Sequence, residues 1–155
     1  MPKSRESAPT PPPLIGALLR IPSDAIHRRL IRDLNAAGFE ALSLPHMAVL
    51  QFPGPDGVRP ATLAERAGMS KQAMNQLLRS LEGFGYIVRS DVPDGGVARQ
   101  IRLTERGHTA FLKMVEILRE IEREWSIELG QERFAQLKAL LFVVWDSPLV
   151  GQQNA

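Results

Sequence analysis

Cysteine is absent from the 155-residue sequence, which excludes disulfide bonds, thiolate zinc sites, cysteine nucleophiles and thiol-based redox sensing. Long apolar runs are absent as well: the longest, Ala139 to Trp145, has seven residues, whereas a membrane helix needs about 20. Five prolines between residues 2 and 13 stand where a signal peptide would have its apolar stretch. These absences predict a soluble cytoplasmic protein with no membrane partner.

The charges of the chain nearly cancel, to a net +2, but they are unevenly distributed. Residues 59–106 carry eight Lys and Arg against five Asp and Glu, whereas residues 107–155 carry five against seven. A polyanion would therefore be drawn first to the middle third of the chain. A chance scatter of a few charges is the alternative explanation.

Composition divides the chain into a Pro-rich arm at residues 1–13, a single domain at 14–146 and a tail at 147–155. The arm is expected to be disordered, because it has almost no apolar residues to bury. Apolar residues of the domain recur mainly at the helical period, with one interval of strand-like alternation. The sequence therefore predicts a mainly α fold with a small β-hairpin, an α+β arrangement.

The first part of the domain, residues 14–38, is predicted to be a helix interrupted at Pro22. Proline lacks the backbone N–H, so the helix should kink there or restart with Ser23 or Asp24 in its new first turn. Gly38 is the expected end of this helix.

Residues 60–85 have the spacing of a helix-turn-helix. A short helix from Pro60 closes at Gly68, and Ser70 is the expected N-cap of a second helix that runs to about Phe84. The apolar residues of this second helix follow the spacing of a buried stripe, and they are Ala73, Met74, Leu77, Leu78 and Leu81. Two helices joined by a short link that contains glycine are typical of this motif.

The period changes from helix to strand after Gly85. Residues 86–89 and 99–103 read as two strands, and Asp94-Gly95-Gly96 reads as the turn between them. A β-hairpin directly behind the second helix makes the motif a winged helix-turn-helix, which we place at residues 43–104.

The second helix of the motif has a polar face without any acidic residue. This face consists of Ser70, Lys71, Gln72, Asn75, Gln76 and Arg79. Amide side chains can pair with adenine in the major groove, and Arg or Lys can pair with guanine or phosphate. Three amides in five residues are unusual on a merely solvated face, where Glu and Lys are better helix formers. The face therefore predicts binding to double-stranded DNA, and an ordinary polar surface helix is the alternative.

A long helix capped by Thr104 and ending near Leu129 carries apolar residues at heptad spacing. This seam consists of Phe111, Met114, Leu118, Ile121 and Trp125. The seam either packs inside its own subunit or meets a second copy across a two-fold axis. We favour a homodimer formed through residues 14–38 and 105–146, because these helices leave more apolar surface than one chain can cover.

The sequence contains no arrangement typical of an enzyme. His27, His46 and His108 lie far apart, and none has a second metal ligand at helical spacing. There is no dinucleotide-binding fingerprint, no Walker loop and no nucleophile–base pair. We therefore predict no catalytic residue, no metal and no cofactor.

Four segments resemble the MarR family of bacterial winged helix-turn-helix transcriptional regulators. They are residues 64–72 (AERAGMSKQ), 77–82 (LLRSLE), 85–86 (GY) and 102–107 (RLTERG). The resemblance implies a homodimer whose first and last two helices interlock, with a recognition helix in the major groove and a wing at the minor groove. It places Arg99 on the returning strand of the wing. Gly96 and Val97 stand where the family commonly has a basic pair, which leaves Arg99 as the cation of the wing.

The resemblance also implies a small aromatic effector bound between the DNA-binding and dimer parts. Candidate residues for this crevice are Arg20, His46 and Trp125. The expected function is that of a sequence-specific regulator, a nucleoid-associated repressor that binds a palindromic operator and is released by such an effector. The alternative is a winged-helix protein-interaction module or an architectural DNA-binding protein without an operator of its own. A strong preference for one palindrome over bulk DNA would distinguish the two.

Overall fold

The computed structural model describes residues 12–54, 56–90, 100–145 and 147. Over these ranges it contains six helices and one antiparallel two-stranded sheet, so the predicted mainly α fold with a small hairpin is confirmed. The elements are α1 (Ile15–Ala36), α2 (Leu44–Leu50), α3 (Pro60–Arg66), α4 (Lys71–Gly83), β1 (Ile87–Ser90), β2 (Gln100–Leu103), α5 (Glu105–Leu129) and α6 (Gln131–Trp145). The wing turn at 94–96 and Arg99 lie outside the described residues, as do nearly all of the arm and tail.

Helix α1 runs through Pro22 without interruption, so the predicted restart at Ser23 or Asp24 is wrong. Proline leaves one backbone carbonyl of the preceding turn without its N–H partner. That turn lies in the exposed half of the helix, where Leu18 is 52% exposed, and water can satisfy the carbonyl. The predicted end at Gly38 is confirmed, since Gly38 has a φ of 89° and the Phe39 N–H bonds the Leu34 carbonyl at 3.0 Å.

A single hydrophobic core joins α1, α2, α3, α4, the hairpin and α5. Its most deeply buried large side chains are Leu34, Leu50, Leu63, Met74, Leu78, Leu81, Tyr86, Ile87, Ile101 and Ile117. Strand β1 pairs with β2 in the register Ile87 with Leu103 and Arg89 with Ile101. Among the helices that the structure describes, none combines the length and apolar composition needed to cross a bilayer.

Helix α5 packs its heptad residues largely against its own chain. Met114 and Ile121 are buried in the same cluster as Leu30 and Leu34 of α1, and the other three seam residues pack against that cluster. For Met114 and Ile121 the intrachain alternative therefore holds, because α1 already covers this side of α5. A contact of the seam with a second copy stays a prediction.

A bidentate ion pair also joins α1 to α5. The two terminal nitrogens of the Arg29 guanidinium bond the Glu124 carboxylate, one of them at 2.8 Å, and Nε bonds Asp33 at 3.3 Å. The hydrogen bond from Arg29 holds the pKa of Glu124 below its ordinary value.

The apolar surface left uncovered lies at the start of α1 and along the last two helices. Of the 15 residues of α6, only Phe134 is buried. The exposed side chains are Leu14, Ile15, Leu18, Leu19 and Ile21 at one end of the chain, and Ile127, Leu129, Leu137, Leu140, Leu141, Phe142, Val143, Val144 and Trp145 at the other. Apolar surface this extensive is typical of an interaction site.

Candidate nucleic-acid interface

Helix α4 is fixed at its start by a side-chain cap and beneath by a buried stripe. The Ser70 hydroxyl accepts the Ala73 N–H at 3.1 Å, which confirms the predicted N-cap. Met74, Leu78 and Leu81 are buried and anchor the helix to the core. Ala73, predicted to join them, is exposed, because it lies about 100° around the helix from Met74 and therefore off the stripe.

The face of α4 opposite this stripe is entirely open. All six predicted residues, Ser70, Lys71, Gln72, Asn75, Gln76 and Arg79, are exposed. Gln72, Asn75 and Arg79 follow one another at three- and four-residue steps and share one side of the helix. The structure thus gathers the predicted residues on a single accessible surface, and their contact with DNA stays a prediction.

Sequence reasoning missed Arg89 of β1, which belongs to the same surface. It lines a shallow hollow of about 370 Å³ together with Gln72, Asn75 and Arg79. Its Nε donates to the Glu82 carboxylate at 3.1 Å, and its side chain is 20% exposed. Strand alternation was the available signal, since Arg89 lies on the same side of β1 as the buried Ile87, two residues earlier.

Backbone and side-chain hydrogen bonds join the end of α4 to the start of α5. The Thr104 N–H bonds the Tyr86 carbonyl at 3.0 Å, and its hydroxyl donates to the Gly85 carbonyl at 2.6 Å. The same hydroxyl accepts the Gly107 N–H at 3.0 Å, which confirms Thr104 as the N-cap of α5. These bonds fix the position of α4 relative to α5.

Arg106 adds a second tie at this junction between α4 and α5. Its guanidinium lies 4.9 Å from the centroid of the Tyr86 ring and donates to the Gly38 carbonyl at 3.3 Å. Arg106 therefore connects the segment after α1 with the segment after α4.

The three residues of the predicted effector crevice have separate surroundings in the single chain, and the crevice stays a prediction. Arg20 pairs with Asp24 at 3.2 Å in the exposed half of α1. Trp125 lines an apolar cleft of about 270 Å³ between α1, α5 and α6, whose lining includes neither Arg20 nor His46.

His46 lies at the N-terminus of α2. Its Nδ1 accepts the Ser43 N–H at 3.2 Å, and its ring meets Phe84 edge-on. Burial lowers the pKa of His46, so the neutral ring is favoured.

A larger cleft, which sequence reasoning did not predict as a ligand site, lies between the winged part and α5. Its volume is about 570 Å³, and Leu50, Leu103 and Phe111 form its apolar lining beside Arg102 and His108. The Nε of Arg102 is buried and has no hydrogen-bond partner among the described residues. An anionic group with an apolar body would suit this combination of side chains.

No group of three or more His, Asp or Glu that could hold a metal ion occurs in the described ranges. The absence of a cofactor stays a prediction. The two candidate functional surfaces are the polar face of α4 and the cleft beside α5.

The family model described as "MarR family" matches residues 42–100, the segment that contains α2 to the start of β2. No curated protein sequence gives a significant match. A Mycobacterium tuberculosis MarR family protein, solved in complex with salicylic acid, is 25% identical with a TM-score of 0.63, and the match covers 90% of this chain and 98% of that one.

Two other solved structures share the fold and contain DNA. Staphylococcus aureus MepR in complex with DNA is 21% identical with a TM-score of 0.68, over 84% of this chain and 96% of that one. The transcriptional repressor CouR, bound to a 23-mer duplex, is 19% identical with a TM-score of 0.68, over 84% and 92% of the two chains. The predicted resemblance to the MarR family is confirmed. The family's sequence pattern matches residues 42–100, and the chain has the fold of MarR family transcriptional regulators.

Proposed function

We propose that this protein is a transcriptional repressor that binds a palindromic operator in double-stranded DNA as a homodimer. The observation that carries the proposal is the open face of α4, where three amides and two cations are all exposed and no acid intervenes before Glu82. An α-helix fits the major groove, and amide and guanidinium groups match the donor and acceptor pattern of base edges there. Structural neighbours solved with DNA, MepR and CouR, support the same use of the fold.

The dimer part of the proposal rests on the uncovered apolar residues of α1 and α6. Leu14 is 82% exposed and Leu140 is 67% exposed in the single chain. Symmetric contact between two copies would bury these surfaces, and a two-fold axis is the usual symmetry of such a contact. Two recognition helices related by that axis would read two inverted half-sites, which makes the operator a palindrome.

Selection of bound sites from random duplexes tests the proposal. The expected result is an inverted repeat, bound at least about 10³-fold more tightly than a scrambled duplex at the same salt concentration. An architectural protein would instead bind both duplexes with nearly equal affinity, and that outcome would contradict the proposal.

Release by an aromatic acid is the finer part of the proposal, and the cleft of about 570 Å³ is its site. The guanidinium of Arg102, a residue that lines the cleft, can pair with a carboxylate, while Phe111 and Leu103 can cover an aromatic ring. The structure of the Mycobacterium tuberculosis protein with salicylic acid supports this class of ligand. Because the cleft lies where β2 meets α5, a bound ligand would act on the joint between the hairpin and the long helix.

Titration of the operator complex with salicylate tests this site. We expect salicylate to weaken operator binding by the wild type and by Arg20→Gln, a matched control that removes an arginine outside this cleft. Arg102→Gln should bind the operator and no longer respond. An equal response of all three proteins, or of none, would contradict the assignment.

A further inference from the structure

A hollow beside the recognition helix brings together donors from two elements. Gln72, Asn75 and Arg79 line it from α4, and Arg89 lines it from β1. No acidic side chain is among its lining residues. The carboxylate of Glu82, near the end of α4, bonds Arg89 itself. The hollow therefore offers hydrogen-bond donors and positive charge to whatever meets this flank of α4.

The guanidinium of Arg89 is held in place more firmly than a free surface arginine would be. Glu82 engages its Nε at 3.1 Å, and no other described residue accepts a hydrogen bond from its two terminal nitrogens. Pairing of Arg89 with Ile101 across the hairpin fixes the backbone from which the side chain extends. A guanidinium group that is already oriented loses little conformational freedom when it binds two oxygens of an anionic group.

The position of Arg89 beside α4 decides what it would meet on DNA. An α-helix with its side chains is about 10–12 Å across, which is close to the roughly 12 Å width of the major groove. A helix seated in the groove leaves no room for the adjacent strand, so β1 would meet the wall of the groove. Phosphodiester groups form that wall.

We propose that Arg89, oriented by Glu82, is a phosphate-binding residue of the operator interface. The inference rests on the proposed function, since it assumes that α4 enters the major groove. Glu82 is then a positioning residue, whose charge is matched by Arg89 and does not repel the duplex. Arg89 contributes affinity on every sequence, whereas the amides of α4 contribute the choice among sequences.

The test compares the salt dependence of binding by wild type, Arg89→Gln, Arg89→Lys and Arg119→Gln on the selected operator and on a scrambled duplex. Each phosphate contact contributes about 0.9 to the slope of log K against log[salt]. We expect Arg89→Gln to lower that slope by about this amount and to weaken both duplexes by the same factor. Arg89→Lys keeps the charge and should keep most of the slope. Arg119→Gln, an exposed change on α5 away from the hollow, should behave as wild type.

Each other outcome overturns a distinct statement. If Arg89→Gln keeps the wild-type slope on both duplexes, the phosphate contact is wrong while the proposed function stands. If Arg89→Gln loses affinity only on the operator, Arg89 reads a base instead of a phosphate. If the wild type shows no preference between the duplexes, the proposed function itself fails. If the four proteins have the same melting temperature, misfolding is excluded as the cause of any loss of affinity for DNA.

Discussion

In the proposed complex with DNA, the amides of α4 determine the preference among sequences and its cations the overall affinity, and Gln72 tests this division. Gln72 is exposed and lines the hollow beside the recognition helix. We expect Gln72→Ala to cost about 1–3 kcal/mol on the preferred operator, because a bidentate base contact is lost. A scrambled duplex should be bound as before. Titration of both duplexes at one salt concentration measures the difference.

The matched control for Gln72 is Gln131→Ala, which removes an exposed amide from the start of α6. It should leave the affinity for both duplexes unchanged. If Gln72→Ala lowers the affinity for the operator and for the scrambled duplex equally, residues other than Gln72 must contact the bases.

Gly107 is the residue on which the junction between α4 and α5 depends most. A Cβ added there would collide with the carbonyl oxygen of Tyr86, the same carbonyl that accepts the Thr104 N–H. We expect Gly107→Ala to lower the free energy of unfolding by about 1–3 kcal/mol, as overpacking does. Gly83→Ala is the control, because nothing lies within 4 Å of a Cβ at that helical position. Urea denaturation at one protein concentration compares them, and equal stability of both variants would contradict the close approach.

Residues chosen for their position on a periodic pattern lie on one surface in the structure, whereas residues chosen for their chemistry alone do not line one cleft. The face from Ser70 to Arg79 follows from helical periodicity, which fixes what lies opposite the buried Met74 and Leu78. Arg20, His46 and Trp125 were grouped because their side chains suit an aromatic acid. Nothing in the sequence states that α1, α2 and α5 bring such residues together, because that depends on how the helices pack.

At the scale of elements, the N-terminus of α2 depends on the neutral form of His46. Its Nδ1 can accept the Ser43 N–H only when that nitrogen carries no proton. Burial lowers the pKa of His46 from its ordinary value of 6.5. The unfolded chain therefore takes up a proton at a higher pH than the folded chain. Stability is fully present above pH 6.5 and declines as the pH falls from there toward the pKa of the folded state.

His46→Gln tests this dependence, since glutamine supplies an acceptor at the same capping position and does not titrate. We expect the variant to lose less stability than the wild type when the pH is lowered from about 7.5 to about 5.5, a window that spans the ordinary histidine pKa. Denaturation curves at the two pH values give the comparison. Identical pH dependence would mean that His46 titrates alike in the folded and unfolded chains.

Helix α6 is the element whose exposed apolar residues would be covered in the proposed dimer. Leu140 is 67% exposed, so Leu140→Glu removes little from the core of a single chain. In the proposed dimer the same change would bury an unpaired carboxylate, which costs several kcal/mol. Sedimentation should show a folded monomer for Leu140→Glu and a dimer for the control Val88→Glu, an exposed position on β1. A Leu140→Glu variant that remains dimeric would place the subunit contact elsewhere.

Element boundaries followed from local signals, but the partner of each apolar face did not. Gly38, Ser70 and Thr104 act through hydrogen bonds with near neighbours, so the sequence is sufficient to place the ends of α1, α4 and α5. The heptad spacing of the α5 seam is compatible both with packing against α1 of the same chain and with packing against a second copy. Its period alone could not show that Met114 and Ile121 face α1.

At the scale of the whole molecule, the hydrogen bonds that join α4 to α5 and to α1 give the account its strongest consequence. The bonds among Gly85, Tyr86, Thr104 and Arg106 tie α4 to α5 and to the end of α1. The exposed ends of α1 and α6 are the surfaces through which a second copy would attach. The two recognition helices of a dimer would then have a fixed separation and a fixed relative orientation.

Operator spacing tests the central claim, a dimer with two recognition helices on one face of the duplex, most directly. The selected operator is compared with a version in which about five base pairs, half of a 10–10.5 bp turn, separate its two halves further. The insertion rotates one half-site to the opposite face of the DNA, so a rigid dimer can engage only one half. We expect affinity to fall to nearly that of a scrambled duplex at the same salt concentration. Equal affinity for the two operators would contradict the account.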